Sequence, residues 1–390
     1  MYTIVVFDFL SHANMHLPFN VGYIKILRAA FPDDEIIFVA KQEHINNLEP
    51  HFSENTSLKW LAFEGFNYEN RIKYNPLQGI VEARKCLKTA ASVVRGKKVR
   101  LTAIAGVEAI LLREFRRKWN TISASPLHYI LHDHLGATLL WRARNPLFRW
   151  FDFFSEFQKR LPPGQKWIVL EKGIETSITK MFPGLAGSIL ALPHPIESLQ
   201  YPMSRDVNQC NTPRRLKLAF LGVCTQKKGF DVFLDLANHF YGSKFDFWAI
   251  GAATPDFSLP DYGALALKPS HTYVPLEKYY AALSETDLVI LPYGKAYNFT
   301  ASGSLLDAFA FSKPVLTVDN ITNNFITEKY GQIGPYAQHT SDFKDILEAL
   351  SFEDFITKVP TWKRSIKQIQ ADRRPEVLAN TYRNQIVNHT

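Results

Sequence analysis

Cysteine is scarce in this 390-residue chain, with only Cys86, Cys210 and Cys224, widely spaced and odd in number. That argues against a disulfide framework and for a reducing compartment in which the thiols are buried. No apolar run reaches the roughly 18 residues that a membrane span needs, because LTAIAGVEAILL is interrupted at Glu108 and ended by Arg113. No basic segment precedes the strand-like YTIVVFDF, so a leader peptide is not expected. A GxGxxG fingerprint and a Walker phosphate loop are both missing, which disfavours dinucleotide oxidoreductases and P-loop enzymes. Solenoid-length repeats and low-complexity tracts are missing too. His12 and His16 have no nearby cysteine or clear third ligand, so no metal site is expected.

What is present is core material and positive charge. Apolar residues make up 46% of the chain and 29 residues are Phe, and this length favours two domains over one core. The net charge of +8 is uneven: residues 1–211 carry 26 basic against 19 acidic groups, and 212–390 carry 19 against 18. Between residues 84 and 118, eleven basic residues (Arg84, Lys85, Lys88, Arg95, Lys97, Lys98, Arg100, Arg113, Arg116, Arg117 and Lys118) face only Glu108 and Glu114. Such a stripe attracts anionic lipid, polyphosphate or nucleic acid, although most charge runs are solvated helix faces. WRARNPLFRWFDFFSEFQKR, 141–160, interleaves arginines with aromatics. It suits an interfacial helix at a membrane, while the spacing of residues 147, 150, 151 and 154 equally suits a core helix. No nucleic-acid reading motif accompanies the charge, so nucleic acid is not an expected partner.

Near-continuous apolar strands alternate with helical patterns twice over, which predicts α/β architecture with parallel sheets covered on both faces. The first series comprises 4–9, 35–40, 58–63, 99–105, 127–133, 166–172 and 188–193. Residues 194–213, HPIESLQYPMSRDVNQCNTP, lose periodicity and read as a linker. The second series comprises 215–222, 245–251, 287–293 and 314–319, with helices at 229–240, 275–284 and 301–311. The expected division is a Rossmann-like domain over 1–195, a linker over 196–213, a second Rossmann-like domain over 214–358 and a helical tail over 359–390. The tail is expected to break at Pro360 and to pack back on the first domain.

In the second half, TASGSLLDAFAFSKPVL, 300–316, reads as a small-residue turn opening a short helix. Ser302, Gly303 and Ser304 fall in its first turn, where free amides and the dipole favour an anion. Asp307 follows one turn deeper and can accept hydrogen bonds from sugar hydroxyls, although an ordinary capped helix has the same pattern. LAFLGVCTQKKGFD places Gly222 at a strand end, followed by Lys227 and Lys228, whose ammonium groups can reach phosphates.

The order and spacing of the Lys228-Gly229 turn, the DLVILPY strand and SGSLLDAFAFSKPVL resemble the donor domain of GT-B glycosyltransferases, most closely the large bacterial nucleotide-sugar-dependent, family 4-like group. The resemblance spans about 215–320. Asp307-Ala308 stands where that group has the second Glu of a paired-Glu motif, and Lys313-Pro314-Val315 matches the motif's end. It extends more weakly to ALPHPIES, 191–198, and to LHDH, 131–134. The sequence departs from the pattern at Val223, where the group carries Arg, and at Phe299, where it carries the first Glu.

The resemblance implies two Rossmann-like doubly wound domains facing a cleft, with C-terminal helices. It also implies transfer of a sugar from a nucleoside diphosphate sugar to a hydroxyl of a lipid-linked or polysaccharide acceptor. Gly222, Lys227, Lys228, Ser302, Gly303, Ser304 and Asp307 would hold the donor. Positive charge and helix amides would stabilise the leaving diphosphate, so neither cofactor nor metal is expected. Asp133 would be the general base of an inverting reaction with His132 behind it, and a retaining reaction would use both for positioning. His12, His16 and His134 are acceptor-side candidates. The expected location is cytoplasmic, peripheral at the inner face of the membrane. A nucleotide-sugar epimerase and a catalytically idle partner subunit remain as alternatives.

Overall fold

The computed structural model describes residues 1–11, 13–52, 57–64, 76–132, 135, 152–196, 214–253, 262–272, 274–293 and 297–387. They form two compact units, one of residues 1–197 with 373–390 and one of residues 198–372.

The first unit is built on seven parallel strands: β1 (Thr3–Asp8), β2 (Glu35–Ala40), β3 (Leu58–Ala62), β4 (Val99–Ala105), β5 (Leu127–Leu131), β6 (Gln165–Val169) and β7 (Ile189–Ala191). They lie in the order β3-β2-β1-β4-β5-β6-β7. Every residue of β1 and β5 is buried, as a strand covered on both faces requires. The order reverses between β1 and β4, and the carboxyl end of β1 at such a switch point is where an open sheet offers a crevice.

The second unit has five parallel strands, β8 (Leu216–Leu221), β9 (Phe245–Ile250), β10 (Leu288–Leu291), β11 (Val315–Val318) and β12 (Tyr336–Ala337), in the order β12-β11-β10-β8-β9. Here the switch point falls between β8 and β10. Phe220, Phe230, Phe233 and Phe247 centre one face of its core, and Phe355, Val359 and Trp362 of the helix Phe352–Asp372 close it.

That helix corrects one expectation. It runs through Pro360 without a break, and residue 359, where the sequence reading began a separate tail, lies inside it. An interior proline costs about 3 kcal/mol. Burial of Phe355 and Val359 before it and Trp362 and Ile366 after it on the same unit outweighs that cost. The following helix, Pro375–Val387, belongs to the first unit. It docks on the helix Leu17–Ala30 through Tyr382, whose hydroxyl lies 2.9 Å from that of Tyr23 and 2.7 Å from Nδ1 of His128 on β5. Burial pushes the phenols of Tyr23 and Tyr382 well up, so both stay neutral.

The aromatic stretch 141–160 is described only from residue 152, so Trp141 to Phe151 lie outside the described residues. In the part that is described, Asp152 caps the helix Phe153–Phe157 by accepting from the Ser155 amide at 2.6 Å. Phe153 and Phe157 are buried against Trp167, and Phe157 also meets Phe182. These two rings are core, not an interfacial face, because β6 presents Trp167 for them to pack on.

Replacing Tyr382 by Phe keeps the ring and removes the hydroxyl between Tyr23 and His128. The expected loss is about 1–3 kcal/mol of stability, read as a lower urea midpoint with an unchanged slope.

Candidate functional site

In the second unit the site begins where β8 ends. Gly222 has φ +89°, and a Cβ there would lie 3.0 Å from Nζ of Lys228 and 3.1 Å from Oγ of Ser304. The lysine and the serine therefore converge over one strand end, in space that only glycine leaves open. Lys228 is placed by a single turn, Gln226–Lys228, which Thr225 caps by accepting from the Lys228 amide at 3.3 Å. Burial pulls the Lys228 ammonium below its usual pKa, with Asp307 and Cys224 opposing that shift.

Ser304 belongs to the helix Gly303–Ala310 and donates to the Leu221 carbonyl at 3.0 Å, which fastens the helix start to the end of β8. Ser302 is the N-cap and accepts from the Leu305 amide at 3.1 Å. Its hydroxyl lies 2.5 Å from that of Tyr293, just beyond β10. The amides of Gly303 and Ser304 precede the first intrahelical bond and carry the positive end of the dipole. The strand end, the lysine and the helix start together present free amides and an ammonium group, the kind of donors that can hold an anion.

Asp307 lies one turn deeper and accepts from the Tyr279 hydroxyl at 2.9 Å. Burial pushes its carboxyl up to about 6, with the tyrosine bond and Lys228 opposing. Near neutral pH it is an ionised acceptor in a confined place, the chemistry that hydroxyl recognition needs. Lys227 is exposed, and its ammonium lies 5.6 Å from the Tyr297 ring, which stacks on Tyr293 at 4.2 Å. Tyr279, Tyr293 and Tyr297 were not read as site residues from sequence. Tyr293 alone carried a signal, as the last residue of DLVILPY.

Of the departures noted in the sequence, Val223 is 46% exposed beside Gly222, while Phe299 is buried. The group that would stand for the first acid is thus a core ring.

In the first unit the carboxyl end of β1 is held by Asp8, which accepts from the amides of Leu10 and Ser11 at 3.3 and 2.9 Å and from Nδ2 of Asn20 at 2.7 Å. His44 donates from Nδ1 to the Ala13 carbonyl at 2.8 Å, which leaves Nε2 to accept from Asn20 at 2.9 Å. This network fixes the loop that delivers His16, a residue at φ +55°. The His16 ring stacks on that of His132 at 4.1 Å, and Phe19 meets His132 and His194 edge-on. Burial lowers His194 to about 3, so it stays neutral. The structure thus brings His16 and His132 together. His12, Asp133 and His134 lie outside the described residues.

No family model matches the chain, and no curated protein does. Solved structures do. A sucrose-phosphate synthase from Thermosynechococcus elongatus aligns with a TM-score of 0.68 at 13% identity, over 100% of this chain and 98% of the other. Anabaena HepE, solved with UDP, aligns with a TM-score of 0.65 at 14% identity over 100% of both chains. WaaG, a glycosyltransferase involved in lipopolysaccharide biosynthesis, aligns at 0.61 and 12% over 99% of both. The fold is that of the GT-B glycosyltransferases, with its parallel sheets of seven and five strands.

Asp307 has a stability signature of its own. With its pKa raised from 3.8 to about 6, the folded state holds the proton more tightly than the unfolded chain. Its contribution is fully present below the lower value and is lost as pH rises through the upper one. Urea unfolding of the parent and of Asp307→Asn across that window should show the parent losing stability relative to the variant as pH rises, because the opposite contribution of the buried neutral His194 is common to both.

Proposed function

We propose that the protein is a glycosyltransferase that moves a sugar from a nucleoside diphosphate sugar to a hydroxyl of a lipid-linked or polysaccharide acceptor. The observation that carries the reading is the convergence of Lys228, Ser304 and the Gly303–Ala310 helix start over Gly222, at the switch point of a GT-B donor-type sheet. Structures of similar fold that were solved with UDP support a nucleotide donor.

In this reading the diphosphate lies over Gly222, against the Lys228 ammonium and the amides of Gly303 and Ser304. As the glycosidic bond to the donor breaks, charge grows on the leaving diphosphate, and these fixed donors stabilise it without having to reorient. The reading therefore calls for neither metal nor cofactor. Asp307, ionised above about pH 6, accepts from donor hydroxyls. Asp133 takes the acceptor proton in an inverting reaction, with His132 behind it and His16 stacked on His132 at its acceptor side. The partners are the donor, the acceptor and an anionic membrane surface that carries the acceptor, at the inner face of the membrane.

Three outcomes check this. Purified protein incubated with a panel of nucleotide sugars and hydroxyl acceptors should give a glycosylated product by mass spectrometry, and Lys228→Ala should weaken UDP binding by about 10- to 100-fold in calorimetry. Asp133→Ala should lower kcat by roughly two orders of magnitude or more while leaving UDP affinity unchanged. Activity within a few-fold of the parent would remove Asp133 as the base.

A further inference from the structure

The basic residues between 84 and 118 are not absorbed by the site, and the structure shows how they are displayed. The helix Pro76–Val94 buries Ala83, Cys86, Leu87, Ala90 and Val94 on one side. At 100° per residue the opposite side carries Leu77, Val81, Arg84, Lys85, Lys88 and Ser92 in one stripe about 100° wide. Every one of these six is exposed, with Leu77 at 74% and Val81 at 51%. Arg95 continues the line beyond the helix end.

Basic groups near a helix C-terminus ordinarily complement the dipole. That accounts for Arg95, Lys97 and Lys98 but not for Arg84, Lys85 and Lys88, which lie in the middle turns. The acids that meet this stripe sit beneath it. Glu82 is buried and pairs with Lys85 at 3.0 Å, and Glu114 is buried and meets Arg84 at 3.5 Å. Both pairs leave the basic partner more than half exposed, so the outward face is positive. At its far end the stripe runs into an open surface pocket of about 340 Å³ lined by Ile37, Lys59, Leu61, Ser92, Val93 and Lys97, in which Lys59 is paired with Glu35 at 2.5 Å and Lys97 adds an exposed ammonium group.

We propose that this face of the first unit docks on an anionic phospholipid surface. Leu77 and Val81 would enter the headgroup boundary, Arg84, Lys85, Lys88 and Arg95 would lie over phosphates, and the pocket would receive one headgroup. The proposal rests on the reading above for its partner, an acceptor-bearing membrane, and adds the face that meets it. Exposed aliphatic residues in line with the cations favour a bilayer over a soluble polyanion, which would leave them in water.

Flotation of the full chain with vesicles of equal parts phosphatidylglycerol and phosphatidylcholine tests it, against vesicles of phosphatidylcholine alone. The parent should float with the first and not with the second. Lys88→Glu/Arg95→Glu/Lys97→Glu should reduce flotation at least about tenfold. Lys358→Glu/Arg364→Glu/Lys367→Glu, an equal charge change at three exposed positions of the second unit, should leave it within a few-fold. Leu77→Ser/Val81→Ser should weaken it at constant charge. Equal flotation with both vesicles, equal losses in the two charge variants, or binding to dextran sulfate without binding to vesicles would overturn the proposal. UDP affinity measured on the same samples should be unchanged. A variant that fails to dock but binds UDP, or a parent that docks but does not bind UDP, separates this proposal from the nucleotide-sugar reading.

Discussion

The second unit depends on how closely two strand ends can approach one another. Gly222 follows β8 and donates its amide to the Ile250 carbonyl at the end of β9, at 2.9 Å. A Cβ on Gly251 would lie 1.8 Å from the Gly222 carbonyl oxygen, so neither backbone tolerates a side chain between them. Because that space is closed on one side, the Gly222 carbonyl cannot move to accommodate bulk on the other. Lys228 and Ser304 fill the remaining side. The space over Gly222 is therefore a consequence of backbone packing, and the Lys228 ammonium is added to a shape already set.

The first unit reaches a comparable result by polar means. Asp8 is fully buried and satisfied by two amides and a carboxamide, and Asn20 joins it to His44. A buried carboxylate is costly unless each lone pair is used, so the network holds one arrangement of the loop after β1. That loop carries Ala13 at φ +45° and His16 at φ +55°, conformations unfavourable for residues with a Cβ. The network stabilises the loop against that strain, and it sets where the His16 ring stacks on that of His132.

Much of this was legible in the sequence because it depends on local pattern. Continuous apolar strands such as IVVFDF and DLVILPY signal burial on both faces, and SGSLLDAF signals a capped helix start, which Ser302 supplies. What was not legible depends on partners far away in the chain. Tyr279 meets Asp307 across 28 residues and Tyr382 meets His128 across 254, and neither spacing leaves a periodic trace. Pro360 was read by its local cost, while the core contacts that offset it come from Phe220, Phe247 and other residues more than a hundred positions earlier. The aromatics at 153 and 157 have the composition of an interfacial segment, and only Trp167 across the packing decides otherwise.

The point where the chain re-enters the first unit shows what such distant contacts achieve. Arg373 follows the last residue of the helix Phe352–Asp372 and forms a two-bond ion pair with Glu171, at 2.7 and 2.9 Å, with both side chains 3% exposed. Its carbonyl accepts from the Ile196 amide at 3.0 Å, near the point where the chain leaves the same unit. A buried pair of this kind adds little net stability over an apolar pair of equal volume, yet removing one partner costs about 3–5 kcal/mol because the other is left charged and dry. Its effect is on specificity: a shifted register at residue 373 would bury an unpaired guanidinium. The departing and returning segments are thereby fixed to each other inside the first unit. The C-terminal helix with Tyr382 can then occupy one position on Tyr23 and His128, and β5, which leads into His132, is held from behind by that helix.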